Sequence, residues 1–479
     1  MNITQKTIEE LATNAKAAQN GRDLVGKNKF SNLRISADKT LIWGECAGSG
    51  KAPYLCSADY VDECNPMLRC NCPSMQRPCK HVLGLLYAYE KGNVFTTAEI
   101  SEDIISKRGK IEQRQQKKNQ EKEQIREKTV SPKAVNKNTL VKKIDAQLSG
   151  IEIADKIMKN IVQQGLSSID AKVFQTLREQ SKELGNYYIA GIQNAFNNLW
   201  LELENVKNEE YTAVIDQINY ISALLRKSTE YLQKRRENPD MPPEISSAIE
   251  EQTGTVWKLT ELMQLGLWEE NAEILQLSFN CYDNQARREY VDEGVWLNLK
   301  SGKIYKTKNY RPYRAAKYIK SDNSEFNILQ IKELFIYPGD INPRIRWENG
   351  TEKSRRPDRN DLEKIQTFAA ENYAETVKTV KNSIKNPLTD KRPVILLSLH
   401  SSYIAGDHSV IKDRHGNKLT VCDMEKSEVS AETQLKSILP ADARGLSLLA
   451  MVNNDVKTGL FSVYPLSLIT SEKIIRLLY

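Results

Sequence analysis

The spacing of apolar residues changes along the chain and separates regions of different predicted structure. Between residues 139 and 268, apolar residues recur at steps of three and four, the period of an amphipathic helix. Residues 238–243, Asn-Pro-Asp-Met-Pro-Pro, separate the fourth predicted helix from a fifth at residues 246–265. Because short connections favour antiparallel neighbours, this region predicts a bundle of about five helices.

From about residue 270 the pattern alternates between apolar and polar residues, as in strands. Residues 294–299 and 303–307 alternate in this way, and Ser301-Gly302 predicts a tight hairpin between them. Strand-like segments continue to residue 469, interrupted by one predicted helix near residues 360–385. Residues 269–479 therefore predict a mainly β domain, a barrel or a sandwich, with one inserted helix.

The first hundred residues predict a small module of strands followed by one helix. Residues 32–36, 40–46 and 52–58 are strand-like. Apolar residues at helical spacing then run from Val82 to Tyr89, and Gly92 is placed as a helix stop. A core of this size is too small to fold securely without further support. The fold class predicted for the whole chain is multidomain α+β.

Two pairs of metal-ligand residues lie just before this helix. Cys70 and Cys72 are separated by one residue, so on an extended strand both thiols project from the same face. Cys79 and His81 repeat the spacing, and the intervening turn is bracketed by prolines that disfavour helix. The pattern predicts one zinc ion bound per chain by a closed set of three cysteines and one histidine.

The alternative interpretation, buried free thiols with a solvated histidine, requires four potential ligand residues to match in spacing by coincidence. Three further cysteines, Cys46, Cys56 and Cys64, lack paired spacing, and the favoured interpretation of each is a small buried apolar residue. Cys64 is the best candidate for a spare thiol near the site. The sequence therefore predicts that the N-terminal module is a zinc-clasped ββα-type fold and that zinc binding stabilises it.

The run Cys-Asn-Cys-Pro-Ser-Met-Gln-Arg-Pro-Cys-Lys-His-Val-Leu-Gly-Leu resembles the SWIM zinc finger. The resemblance covers about residues 25–95 and carries ligand roles only to Cys70, Cys72, Cys79 and His81. It implies a binding module for DNA or protein with no catalytic role. Similar bacterial proteins tend to be encoded beside MoxR-type AAA ATPases and von Willebrand A domain proteins. The resemblance therefore suggests that a MoxR-type AAA ATPase or a von Willebrand A domain protein is the partner of this chain. It also suggests that the chain is an adaptor in an ATPase-linked assembly.

Charge is distributed unevenly over the 479 residues. The formal net charge is +7, whereas residues 107–143 alone carry thirteen Lys or Arg against four Glu. Residues 101–138 contain few large apolar side chains and predict a basic linker between residues 1–100 and 139–268. A solvated tether is the favoured interpretation, and an arm that contacts phosphates or an acidic protein is the alternative.

Cysteine usage and hydropathy point to a location. Six of the eight cysteines lie within residues 46–79, which does not fit a dispersed disulfide framework. The first twenty residues carry no hydrophobic signal core, and no run of eighteen apolar residues exists. The expectation is a cytoplasmic protein without a membrane partner.

Two other clusters of residues suggest different chemistry. His400, Asp407, His408 and His415 would be needed for a metal-dependent hydrolase, which is the remote alternative. Interleaved tyrosines and cations between Tyr305 and Tyr318 could stack bases, although a packed hairpin rim is favoured. Since the sequence contains no nucleophile elbow or catalytic triad, we expect that the protein is not an enzyme. Adaptor function is the leading hypothesis, with nucleic-acid binding as the alternative.

Overall fold

The computed structural model describes residues 1, 3–48, 52–61, 66–100, 104–106, 108, 137–207, 210–316, 318–339, 341–348, 350, 352–423, 430–455 and 459–477. The protein is mixed α+β with three sheets, which confirms the predicted fold class. The chain divides into two compact units. The N-terminal unit comprises Met1–Lys128, Tyr310–Asp322 and Glu348–Thr351, and the second comprises the remainder. The predicted boundary between bundle and β domain lies inside the second unit and stays a prediction.

The N-terminal unit packs helices on one five-stranded sheet. Its helices are α1 (Gln5–Leu11), α2 (Ala15–Gly26) and α3 (Lys80–Glu90). Its strands are β1 (Phe30–Ile35), β2 (Leu41–Cys46), β3 (Tyr54–Asp59), β4 (Met67–Cys70) and β5 (Thr96–Thr97), in the order β4-β3-β2-β1-β5. Alternate residues of β2 and β3 enter a core shared with α2 and α3, including Ile42, Cys56 and Ala58. This alternation places the helices on a single face of the sheet.

Two glycines let α2 and α3 approach closely. A Cβ added at Gly84 would lie 2.7 Å from the Phe30 ring and 3.0 Å from the Gly21 carbonyl oxygen. A Cβ added at Gly21 would lie 3.0 Å from the Gly84 nitrogen. Glycine within a helix costs about 1 kcal/mol relative to alanine, so here close packing outweighs helix propensity.

The second unit begins with a helical bundle. Its helices are Lys137–Gln164, Ala171–Glu183, Ala190–Glu204, Thr212–Glu237, Ile249–Thr253 and Leu259–Gln264, with short 3₁₀ turns at Leu166–Ser168 and Leu184–Tyr187. The fifth helix predicted over residues 246–265 is wrong as one element, because the chain breaks it at Gly254. That glycine has φ +146°, and a Cβ there would lie 2.6 Å from the Tyr188 carbonyl oxygen. Apolar spacing continues through the break and does not reveal it.

A first barrel follows the bundle. Its strands are β6 (Trp268–Asn284), β7 (Glu289–Asn298), β8 (Ile304–Pro312), β9 (Ile328–Ile336), β10 (Ile345–Arg346) and β11 (Glu352–Arg355). They pair in the order β10-β9-β6-β7-β8, and β11 adds to β9. A parallel bridge between Lys306 and Arg344 joins the two ends of this order.

A second barrel forms the C-terminal part. Two helices, Arg359–Thr367 and Tyr373–Ile384, precede it, and helix Ala431–Ile438 is inserted in it. Its strands are β12 (Val394–Ala405), β13 (His408–Lys412), β14 (Lys418–Val421), β15 (Asp442–Asn454), β16 (Phe461–Ile469) and β17 (Ile474–Arg476). The single helix predicted at residues 360–385 is wrong, because Ala370 pairs with the backbone of β12 and splits it.

The two barrels share one strand arrangement. In the second, β12 pairs with β13, β13 with β14, β14 in parallel with β16, β16 with β15 and β15 with β12. The ring thus runs first, second, third, fifth, fourth, and the inserted helix lies between the third and fourth strands. The first barrel repeats the order with β8 and β10 as the parallel pair. This is the five-stranded Greek-key barrel known as the OB-fold, which decides between the predicted barrel and sandwich.

Within the described ranges, no helix combines sufficient length with sufficient apolar character to span a bilayer.

We expect Gly84→Ala to destabilise the packing of α3 by about 1 kcal/mol, because crowding against Phe30 and Gly21 outweighs the gain in helix propensity. Hydrogen exchange of the α3 amides in the full-length chain should then become about fivefold faster. Gly26→Ala is the matched control, since a Cβ there meets nothing within 4 Å. Equal exchange rates in both variants would contradict the close-packing explanation.

Candidate metal centre

The two predicted ligand pairs converge at the junction between β4 and α3. Cys70 is the last residue of β4, and Cys79 is the residue that caps the N-terminus of α3. The Nδ1 atom of His81 lies 3.9 Å from the Cys70 sulfur and 3.8 Å from the Cys79 sulfur. With Cys72 included, the four ligand atoms all lie within 4.8 Å of one another.

These distances fit a tetrahedral zinc site. Zinc bonds of about 2.3 Å to sulfur and about 2.0 Å to nitrogen place ligand atoms about 3.5 to 3.8 Å apart. Three thiols and one imidazole are a donor set that zinc prefers, and four protein ligands complete its coordination. Cys70, Cys72, Cys79 and His81 are therefore positioned to bind one zinc ion.

The site is shielded from water, which affects its protonation. Cys72, Cys79 and His81 are only 4%, 1% and 6% exposed. A hydrogen bond with Cys70, followed by burial, raises the pKa of Cys79 to about 11. The hydrogen bond with Cys56 is the largest cause that raises the pKa of Cys70, to about 12. A cation must therefore displace thiol protons when it binds at neutral pH.

Neighbouring groups hold the ligand loop against β3. Asn71, between the first two cysteines, accepts a hydrogen bond from the Leu55 amide through Oδ1 at 2.9 Å. The backbone amide of Asn71 donates a hydrogen bond to the Leu55 carbonyl at 3.3 Å. The ring of Tyr54 lies 4.7 Å from that of His81, centroid to centroid. These contacts restrict the orientations of the ligands before metal binds.

A fourth thiol lies beside the three thiols of the cluster. The Cys56 sulfur is 3.6 Å from that of Cys70, and the two residues are directly opposed in the pairing of β3 with β4. Sequence reasoning treated Cys56 as ordinary core and favoured Cys64, which lies outside the described residues. Only the register of β3 and β4, which spacing does not reveal, identifies Cys56 as the neighbour. Its thiol is placed to donate to the Cys70 sulfur.

The four residues proposed for a hydrolytic site do not form a metal-binding group in the part of the chain that the structure describes. His408 Nδ1 lies 3.3 Å from a Glu432 carboxylate oxygen, and His415 Nε2 accepts a hydrogen bond from Arg414. The Asp407 carbonyl accepts a hydrogen bond from Lys436. Among the residues that the structure describes, the only group of three or more potential metal ligands is the Cys/His cluster. His400 and its sequence neighbours are therefore not brought together as a metal site there.

At the start of residues 305–318, the alternative interpretation as a stacking surface is wrong, and the favoured interpretation as a packed rim fits the buried Tyr305. Tyr305 is 1% exposed and donates a hydrogen bond to Glu269 at 2.8 Å. Lys306 is buried and pairs with Asp390 at 3.0 Å. Both side chains are therefore committed inside the second unit, and neither is presented to a nucleic acid.

Most of the predicted linker at residues 101–138 lies outside the described residues. One residue within it, Arg108, contacts β3 and its neighbourhood. Its Nε and Nη2 atoms each donate to a carboxylate oxygen of Asp59 at 2.9 Å, and Nη2 also donates to Thr40. Because Asp59 is 4% exposed, this bidentate pair compensates a buried charge.

Comparison with known proteins identifies the metal-binding segment. The family model described as SWIM zinc finger matches residues 65–90, which contain all four ligands. No curated protein matches the chain.

Two solved structures show weak similarity. One is described as "Structure of murine DNA binding protein bound with ds DNA", at 10% identity over 43% of this chain and 96% of that chain, with a TM-score of 0.20. The other is described as "Molecular basis for abrogation of activation of pro-inflammatory cytokines", at 10% identity over 41% of this chain and 89% of that chain, with a TM-score of 0.16. Scores this low carry no argument about fold or function.

Metal analysis of the purified chain should give about one equivalent of zinc, and Cys72→Ser should lose it, because three remaining ligands leave the ion exposed to water. Cys281→Ser, at an exposed cysteine outside the cluster, is the matched control and should retain the zinc. Full zinc content in Cys72→Ser would show that the assigned ligand set is wrong.

Zinc binding should release at least about two protons at neutral pH, one from each of Cys70 and Cys79, because both thiol pKa values are raised in the absence of metal. Affinity should therefore rise with pH by at least about a hundredfold per unit near neutrality, and fall by the same factor as pH decreases. Calorimetry in buffers of different ionisation enthalpy measures the released protons. Release of clearly fewer than about two protons would contradict this protonation state.

Proposed function

We propose that this chain is a non-catalytic, cytoplasmic zinc protein whose N-terminal module acts as an adaptor for another protein. The observation that carries the proposal is the closed Cys₃His ligand set. A catalytic zinc keeps one position for water or substrate, whereas four protein ligands characterise structural sites. The ion would thus stabilise the module, and the surface of the module would provide the function.

The exposed side chains around the ligands favour a protein partner. Met75, in the loop between the two ligand pairs, is 74% exposed, and Leu55 on β3 is 58% exposed. Three thiolates and Zn²⁺ have a formal charge of about −1, so the bound ion itself would add no net positive charge for a phosphate. The Arg77 guanidinium donates to the carbonyls of Ser74 and Gln76 and so braces this loop. Exposed apolar side chains of this kind suit a protein surface better than a phosphate backbone.

A MoxR-type AAA ATPase or a von Willebrand A domain protein is the class of partner that we propose. The support is the resemblance between the Cys70–His81 segment and SWIM fingers of bacterial proteins associated with such systems. Within this proposal, the module would link the ATPase to another component of the assembly.

Nucleic-acid binding is the second candidate. The observation that favours it is the strand order of the two barrels, since OB-folds in other proteins bind oligonucleotides. This is an analogy at the level of the fold, so it needs a specific surface to become an argument.

If Met75 contributes to docking, Met75→Asp should weaken binding of a MoxR-type ATPase from the same cells by about tenfold or more, since a charge would be desolvated in an apolar contact. The variant should keep about one equivalent of zinc, because Met75 is not a ligand. Val162→Asp makes the same change at another exposed apolar residue and should bind normally. Interferometry with the purified proteins measures both affinities.

Two results would count against the adaptor proposal. One is equal binding of the ATPase by the parent chain and Met75→Asp. The other concerns duplex DNA, for which we expect only the micromolar affinity typical of non-specific contacts. Nanomolar, sequence-selective binding that is lost in Cys72→Ser would count against the proposal.

A further inference from the structure

A tyrosine and two lysines lie together on the second barrel. Tyr403 is near the end of β12, Lys412 ends β13 and Lys418 begins β14. The Nζ atoms of Lys412 and Lys418 are 4.7 Å and 5.9 Å from the centre of the Tyr403 ring. Tyr403 remains 38% exposed, so the cluster is accessible from solvent.

The register of the strands places these three side chains on the outer surface of the barrel. Lys412 is directly opposite Lys418, and Val410, two residues before Lys412, is directly opposite Tyr403. The intervening Ile411 is fully buried in the barrel core. Because side chains alternate between the two faces of a strand, Tyr403, Lys412 and Lys418 share the face that points away from the core.

The two lysines form an unfavourable pair in the isolated protein. Like charges directly opposite each other on antiparallel strands destabilise a sheet. Within the described residues, neither Lys412 nor Lys418 forms an ion pair with a carboxylate. One lysine over the ring would satisfy the cation–π contact, and the second adds repulsion. The arrangement is therefore best explained by an anionic ligand that both ammonium groups contact.

We propose that this Tyr–Lys face, formed by Tyr403, Lys412 and Lys418, binds single-stranded nucleic acid. The ring would stack on one base, and the two ammonium groups would contact neighbouring phosphates. Lysine side chains are flexible, so they can leave the ring when a base occupies it. A duplex keeps its bases stacked on one another, and the ring could not reach a base face there.

The position of the cluster in the fold agrees with this ligand. β13 and β14 are the second and third strands of the barrel, and in other OB-folds the face of these strands binds oligonucleotides. The nearby Arg414 already pairs with Glu371 at 2.8 Å, so the two lysines supply the available charge. With only two phosphate contacts, affinity should be modest, and its logarithm should fall against log salt with a slope of about −1.4.

This site goes beyond the adaptor proposal, because it requires neither the zinc ligands nor the exposed apolar loop. Its test uses the full-length zinc-loaded chain and a fluorescent oligothymidine of about twenty nucleotides. Fluorescence anisotropy measures the binding affinity over a range of salt concentrations. Tyr403→Ala should weaken binding by at least about fivefold, the lower end expected for loss of one stacked base, whereas Tyr403→Phe should retain it. Lys412→Gln combined with Lys418→Gln should remove most of the salt dependence.

Matched controls separate this face from other surfaces. Tyr282 on the first barrel is also 38% exposed, and Tyr282→Ala should bind normally. Lys142→Gln with Lys143→Gln removes the same charge from the basic stretch at residues 107–143 and should leave the slope unchanged. Cys72→Ser and Met75→Asp should bind the oligonucleotide as the parent does, so failure of the adaptor proposal would be seen separately.

The proposal is overturned if the oligothymidine does not bind at low salt, or if Tyr403→Ala and the double lysine variant bind as well as the parent. Equal or tighter binding of a duplex would also overturn it, because the stacking step would then be absent. If the matched controls lose as much affinity for the oligothymidine as the variants of the Tyr–Lys face, the binding depends on diffuse positive charge and the proposal is wrong.

Discussion

The N-terminal module depends on four ligand atoms being held within a few ångströms of one another. Cys70 arrives on the end of an edge strand, and Cys79 and His81 arrive at the start of a helix, so the two pairs meet only if α3 packs correctly on the sheet. That packing depends in turn on the close contact between α3 and α2 at Gly84 and Gly21. In a core of this size, metal binding and folding are coupled, since neither the ligand geometry nor the helix position is secure alone.

The second unit is stabilised differently. Backbone pairing between strands closes each barrel, and buried polar groups hold the two barrels together. Arg476, on the last strand, is 7% exposed and donates to the carbonyl of Gln276 in β6 at 2.7 Å. It thereby ties the second barrel to the first. Lys306 and Asp390 form a further contact between β8 and the segment before β12. Buried charges of this kind persist only where partners compensate the loss of hydration.

The two proposed binding surfaces differ in chemistry. The loop at Met75 presents an apolar side chain beside a site of small negative formal charge, which suits a protein. The Tyr–Lys face presents a ring and two lysine ammonium groups, which suit bases and phosphates. An adaptor that carried both would bring a protein partner to single-stranded nucleic acid, and neither surface would need catalytic residues.

The sequence by itself determined the ligand set, the helical period of residues 139–268 and the change to strands near residue 270, because these are local patterns of spacing and alternation. Tertiary structure decided what depends on distant backbone. The break at Gly254 follows from the approach of the Tyr188 carbonyl, and the position of Cys56 beside Cys70 follows from strand register. The Tyr–Lys face belongs to the same class, since its residues come from three strands. The burial of Tyr305 likewise reflects packing that no window of sequence contains.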